Sequence, residues 1–150
     1  SGKTLYIKGL VQYSPTSRVA SNIKSECTID KQLVDFIVQN SAASGVNVVV
    51  KNNIKPSELE LKVQIENAVS RGGAFRGHQK FVVISGKVVK GKTEYYSFDA
   101  ARLSGGGYWG AYKSSCSVLG RTVKAIGQDV SVWLSNPLDK AMIGDTHLIR

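Results

Sequence analysis

The sequence is poor in the residues that most often announce a reaction. Only two histidines occur, His78 and His147, far apart and in neither HExxH nor His-x-His spacing, so a zinc hydrolase or a serine-histidine-aspartate triad has no foothold. The two cysteines, Cys27 and Cys116, stand 89 positions apart, which excludes a CxxC redox or zinc pair. No metal site and no cofactor are expected. Three prolines and the lack of internal repeats argue against a disordered or low-complexity chain. No stretch approaches the ~18 apolar residues of a membrane-spanning helix. The longest runs, such as Val46 to Val50 broken by Asn47, suit strands. Acidic residues number 11 against 20 Lys and Arg. Most of the acids fall at helix caps or strand exteriors, which leaves little for paired-carboxylate glycoside chemistry. Ser1-Gly2-Lys3-Thr4 has the look of a phosphate-binding loop's end, but no strand and no Gly-x-x-x-x precede it, and a strand rather than a helix follows.

What remains reads as one soluble domain of ordinary size. The 150 residues are 42% apolar and 21% charged, values of a globular chain with enough length for a core of its own. The opening Ser1-Gly2-Lys3, without an initiator Met or a charged-then-apolar leader, is expected of an excised domain or a mature form.

The cysteine pair bears on compartment. One even pair with no further Cys or Cys/His cluster is the pattern that oxidising compartments allow, so a Cys27–Cys116 bridge in an exported protein is the expectation. The competing reading is two reduced core cysteines in a cytosolic protein. Cys116 falls in the first turn of a helix expected after residue 114, where the helix dipole favours a thiolate, so an enzyme using Cys116 with a base such as His78 is a third functional reading. Pairing with Cys27 accounts for both cysteines with fewer assumptions.

Patterning gives the order of elements. Residues 4–13, rich in apolar, aromatic and β-branched side chains and followed by Ser14-Pro15, read as a first strand, and 14–26 as irregular. From Thr28 or Asp30, Leu33, Phe36, Ile37 and Ala43 recur at helical spacing until Gly45 supplies a stop. Residues 46–50 form a short buried strand. Leu59, Leu61, Val63 and Ile65 alternate with Glu60, Lys62, Gln64 and Glu66, the mark of a half-exposed strand. Residues 80–90 and 93–103 flank Lys90-Gly91-Lys92 as a hairpin. Ser114 or Ser115 caps a long second helix whose stripe is Leu119, Val123, Ile126, Val130 and Trp133, ended by Asn136-Pro137. Gly120 and Gly127 beside that stripe are expected where the helix approaches the sheet closely. The reading is α+β, in the order β-α-β-β-β-β-α, with two helices on one face of a mostly antiparallel sheet of about five strands. Residues 1–137 form a single domain, and 138–150 a tail or edge strand of it.

Charge is the strongest functional signal. The net charge is +9. Between Asn67 and Gln128 lie ten basic residues and only two acidic ones, Glu94 and Asp99. That asymmetry favours an anionic partner. Two segments within it combine glycine, aromatic and cation: 71–78, with Arg71, Phe75 and Arg76, and 104–113, with Tyr108, Trp109, Tyr112 and Lys113. Glycine allows close approach, aromatic rings offer stacking area, and Arg or Lys supplies charge. These seven residues are the candidate binding site. The alternative for Tyr108 and Trp109 is that they tuck back onto the core.

The helix ending SAASGVNVVV, the meander after it, the loop ARLSGGG and a serine- and glycine-containing helix closing on WLSNP together resemble a bacterial family. It is the small α+β domain of the TolB N-terminal type, also found in outer-membrane lipoproteins of the LpoB and CsgG kind. The resemblance covers roughly residues 4–135 as a pattern and carries no individual site residue. It implies a non-enzymatic periplasmic or outer-membrane-associated domain, often lipid-anchored, that docks on another envelope protein. The strong basicity and the long-range cysteine pair depart from that pattern. The expected partner is an envelope protein or an anionic envelope polymer, with membrane contact only through an anchor outside this chain. A nucleic-acid-binding domain using residues 67–128 is the alternative.

Overall fold

The computed structural model describes residues 4–73, 77–105 and 115–149. The first apolar stretch does not run as one strand. Thr4–Ile7 forms β1 and Gln12–Tyr13 forms β2, both hydrogen-bonded in parallel to Leu59–Gly73, β4. Between them residues 8–11 stand away from the sheet, held by a hydrogen bond from the Gly9 amide to Asn52 Oδ1 at 2.8 Å. The segment read as irregular contains a short helix, α1 (Ser21–Glu26), which buries only Ile23.

The helix α2 (Ile29–Ala43) follows its expected boundaries, with Thr28 at the N-cap position. Ile29, Leu33, Val34 and Ile37 form its buried face. Its end is set by Gly45, which takes a left-handed φ of +79°. There Gly45 N–H donates to the Ala42 carbonyl and Val46 N–H to the Ser41 carbonyl, the paired bonds of a Schellman stop. The chain then enters β3 (Asn47–Val50), parallel to β1.

β4, β5 (Gly77–Lys90) and β6 (Thr93–Gly105) form the expected antiparallel meander, with longer strands than the alternation predicts. The reason is a bulge. Ile65 opposes Ile84 and Asn67 opposes Val83, so Glu66 is the extra residue and the inward phase moves from Leu61, Val63 and Ile65 to Ala68. The period-two signal breaks at Glu66 although the strand continues.

Helix α3 (Ser115–Ser135) carries the predicted stripe, with Leu119, Val123, Ile126 and Val130 fully buried. Residues 138–150 include β7 (Ala141–Gly144), an edge strand parallel to β6. The sheet has seven strands in the order β3-β1-β4-β5-β6-β7, with β2 beside β4. It is mixed, so the expected mostly antiparallel five-stranded sheet is only roughly matched. The central meander is antiparallel and both flanks are parallel. Parallel partners come from distant chain segments, and local patterning does not reveal them.

α2 and α3 cover one face of the sheet and pack against each other. The core between helices and sheet is filled by Ile7, Leu61, Ile65, Val82, Ile84 and Phe98, whose ring lies 4.6 Å from that of Trp133. Gly127 is the closest helix contact: a Cβ there would sit 2.6 Å from Phe36 Cβ. Its near neighbour is therefore α2 rather than the sheet, while Gly120 has only the Gln32 side chain at 3.4 Å.

Candidate functional site

Of the expected contact residues, Arg71 alone lies among the described ones, at one end of the sheet. Arg71 of β4 pairs with Gln79 of β5, which pairs on its other side with Gly105 of β6. The described ends of both candidate segments therefore share one rung. Phe75, Arg76, Tyr108, Trp109, Tyr112 and Lys113 lie outside the described residues, and Arg71 is placed by its backbone alone. The same holds for the backbone of His78, while His147 sits exposed in the 3-10 turn Thr146–Leu148.

A disulfide ties the helices together. Cys27 and Cys116 are joined, with their Cα atoms 5.0 Å apart. Cys27 is the C-cap of α1, directly before the N-cap of α2, and Cys116 is the second residue of α3. The bridge fastens the starts of both long helices, as their placement in the sequence suggests. With both sulfurs joined, Cys116 offers no thiolate, and the reading of a Cys116-dependent enzyme loses its nucleophile.

Among the described residues the basic cluster does not form a single patch. Arg102 points to the helix side, where its Nε and Nη2 donate to Asp129 at 2.7 and 2.8 Å. Those bonds hold its guanidinium above the ordinary value. Lys80 is buried on the same face, on the rung of Ser70 and Ser104. Lys90, Lys92, Arg121 and Lys124 remain exposed.

The sheet face away from the helices holds a groove of about 380 Å³ that sequence reasoning missed. It exists because residues 8–11 leave the sheet, so that Lys8 and Leu10 wall a trough over β4, β5 and β6. Cross-strand register orders its polar groups. Lys62, Lys87 and Ser97 form one rung, and Gln64, Ser85 and Asp99 the next. Lys87 lies 3.5 Å from Glu94, an exposed pair, and Lys62 has no ion pair among the described residues. On the second rung, Ser85 Oγ donates to Glu66 Oε2. Partial burial, with the Glu66 charge nearby, raises the Asp99 carboxyl above the ordinary aspartate value. The signal in the sequence was Lys62 on the polar phase of the alternating strand, but its register with Lys87 needed the folded sheet.

Among the described residues there is no cluster of three or more His, Cys, Asp or Glu able to hold a metal ion, and no helix long and apolar enough to cross a membrane.

No family model matches the sequence, and no curated protein does. Solved structures do. A protein of the DUF330 family from Xanthomonas campestris superposes with a TM-score of 0.57 at 12% identity, over 89% of this chain and 84% of that one. Lipoprotein GNA1162 from Neisseria meningitidis gives 0.51 at 12% identity, over 83% and 94%. The PelC dodecamer from Paraburkholderia phytofirmans gives 0.50 at 10% identity, over 85% and 87%. They support a bacterial lipoprotein-like domain and do not confirm the TolB, LpoB or CsgG kind that the sequence pattern resembles. At such identities the likeness is one of fold, and the chain has the α+β fold of a domain found among bacterial lipoproteins.

Proposed function

We propose that this chain is a non-enzymatic binding module of the bacterial cell envelope, periplasmic or outer-membrane-associated. Its partner is an envelope protein or an anionic envelope polymer. Contact is made through segments 71–78 and 104–113, whose described ends share the Arg71–Gln79–Gly105 rung. The observation that carries the reading is a fold shared with a bacterial lipoprotein, which in this chain is braced by a disulfide. The bridge supports an oxidising compartment, and the net charge of +9 supports an anionic partner. The convergence of two glycine-rich segments on one rung supports the site.

The test is capture from a detergent-solubilised envelope extract by the immobilised domain and by a variant with Arg71, Arg76, Tyr108 and Trp109 all changed to alanine. Selective loss in the variant is expected, and equal capture sinks the site assignment. A parallel salt titration against single- and double-stranded DNA and RNA addresses the nucleic-acid alternative. Binding at about 50 mM salt that falls steeply with log salt would favour that alternative instead.

A further inference from the structure

We propose that the groove on the open sheet face binds a single phosphoryl group, held by Lys8, Lys62 and Lys87. Three observations lead there. First, Lys62 and Lys87 are direct cross-strand partners. Side chains so placed have Cβ atoms about 5 Å apart, and like charges there destabilise the sheet. Glu94 is itself about half exposed and 3.5 Å from Lys87, a pairing that water screens strongly, and Glu60, which also lines the groove, forms no ion pair with either lysine among the described residues. An anion seated between the two ammonium groups would relieve their repulsion.

Second, the lysines border a formed concavity. The trough of about 380 Å³ has Lys8 on its wall, carried by the segment that leaves the sheet after β1, while Ser97 on the lysine rung is bonded to Asp139 through its amide and hydroxyl. Ligand sites begin at about 300 Å³. Three point charges suit a compact dianion with several oxygens better than a planar carboxylate, for which the arginine fork is the better match.

Third, the neighbouring rung limits the ligand. Asp99 lies one residue pair along the strands, about 6.6 Å away, with Glu66 beyond it in the β4 bulge, and Glu60 lines the groove on the other side of the lysine rung. A second negative group in line with the first would meet those carboxylates. The groove therefore suits one phosphoryl group on a neutral or cationic body, not an extended polyanion. The site is distinct from the glycine-rich end, so it can fail while the proposed function stands.

The experiment is an NMR titration of amide shifts in the intact, oxidised domain at constant ionic strength. The probes are inorganic phosphate, phosphoethanolamine, a linear polyphosphate, and vesicles of phosphatidylethanolamine with phosphatidylglycerol. Saturable shifts at Lys8, Leu10, Lys62, Lys87 and Ser97 are expected with phosphate and phosphoethanolamine. They should weaken by about tenfold or more in Lys62→Gln/Lys87→Gln, a loss of about 1.4 kcal/mol. They should persist in Lys90→Gln/Lys92→Gln, which removes the same charge at the hairpin tip. The same shifts with vesicles would identify a lipid headgroup as the source, and their absence a free phosphoryl compound. No localised shifts, equal weakening in both variants, or a preference for polyphosphate at these residues would overturn the proposal. Unchanged amide spectra of the two variants without ligand show that both remain folded.

Discussion

Reducing the Cys27–Cys116 bridge should take away a large part of the domain's stability. The magnitude follows from connectivity. The bridge spans 89 positions, and closing a loop of that length in the unfolded chain contributes about 4–5 kcal/mol in the chain-entropy model. A domain of this size has about 5–15 kcal/mol in total. At about 2.1 cal/mol/K per residue, such a loss lowers the melting temperature by roughly 13–16 °C. Two perturbations separate the sources. Reduced wild-type protein keeps both sulfurs in place and reports the loop term. Cys27→Ala/Cys116→Ala also removes packed volume, and because Cys27 is only 4% exposed, this variant should be less stable still. Urea titration of the oxidised, reduced and doubly substituted forms, followed by far-ultraviolet circular dichroism, measures both differences. A reduced form within about 1 kcal/mol of the oxidised one would refute the reasoning, because an entropic brace of this length cannot be that weak.

Other expectations follow from single positions. Gly127→Ala drives a methyl against Phe36 in the α2–α3 contact and should cost about 1–3 kcal/mol. Gly120→Ala meets only Gln32 and should stabilise by about 0.5–1 kcal/mol, so thermal melts of the two variants should move in opposite directions. Asp99 binds its proton more tightly in the folded chain than at the ordinary value of 3.8. Its contribution is therefore full below that value and is lost as pH rises through the raised folded value. Asp99→Asn should flatten that decline in a pH series of urea midpoints. Burial, with Asp30 nearby, pushes the Tyr13 hydroxyl up to about 12, and that hydroxyl is buried without a hydrogen-bond partner among the described residues. Tyr13→Phe should thus be neutral or stabilising by up to about 1 kcal/mol, and a clear loss in the melt would show that the hydroxyl has a partner.

What could be read in the sequence was whatever depends on neighbours along the chain. The α2 stripe with its Gly45 stop, the 80–103 hairpin and the α3 stripe each rest on local periodicity and turn chemistry, and each is present. The bridge was legible from count and placement because so few alternatives existed for two cysteines. The misses have different causes. α1 is six residues long with one buried side chain, too short for a period to show. Residues 4–13 look like one strand because nothing local shows that Gly9 will be drawn to Asn52, 43 positions away. That departure is also what opens the groove, so the candidate phosphoryl site was hidden with it. The basic cluster misled in another way: Arg102 and Lys80 count as charge in a sequence but are turned to the helix side in the fold.

The central claim is that the glycine-rich sheet end meets an envelope partner, and photo-crosslinking in cells tests it most directly. A photoreactive phenylalanine analogue replaces Tyr108 in one strain and Lys31, on the exposed side of α2, in another. The proposed function predicts a discrete crosslinked species in the envelope fraction from position 108, lost when Arg71 and Arg76 become alanine and absent from position 31. Equal crosslinking from both positions, or crosslinks to nucleic acid alone, would contradict it.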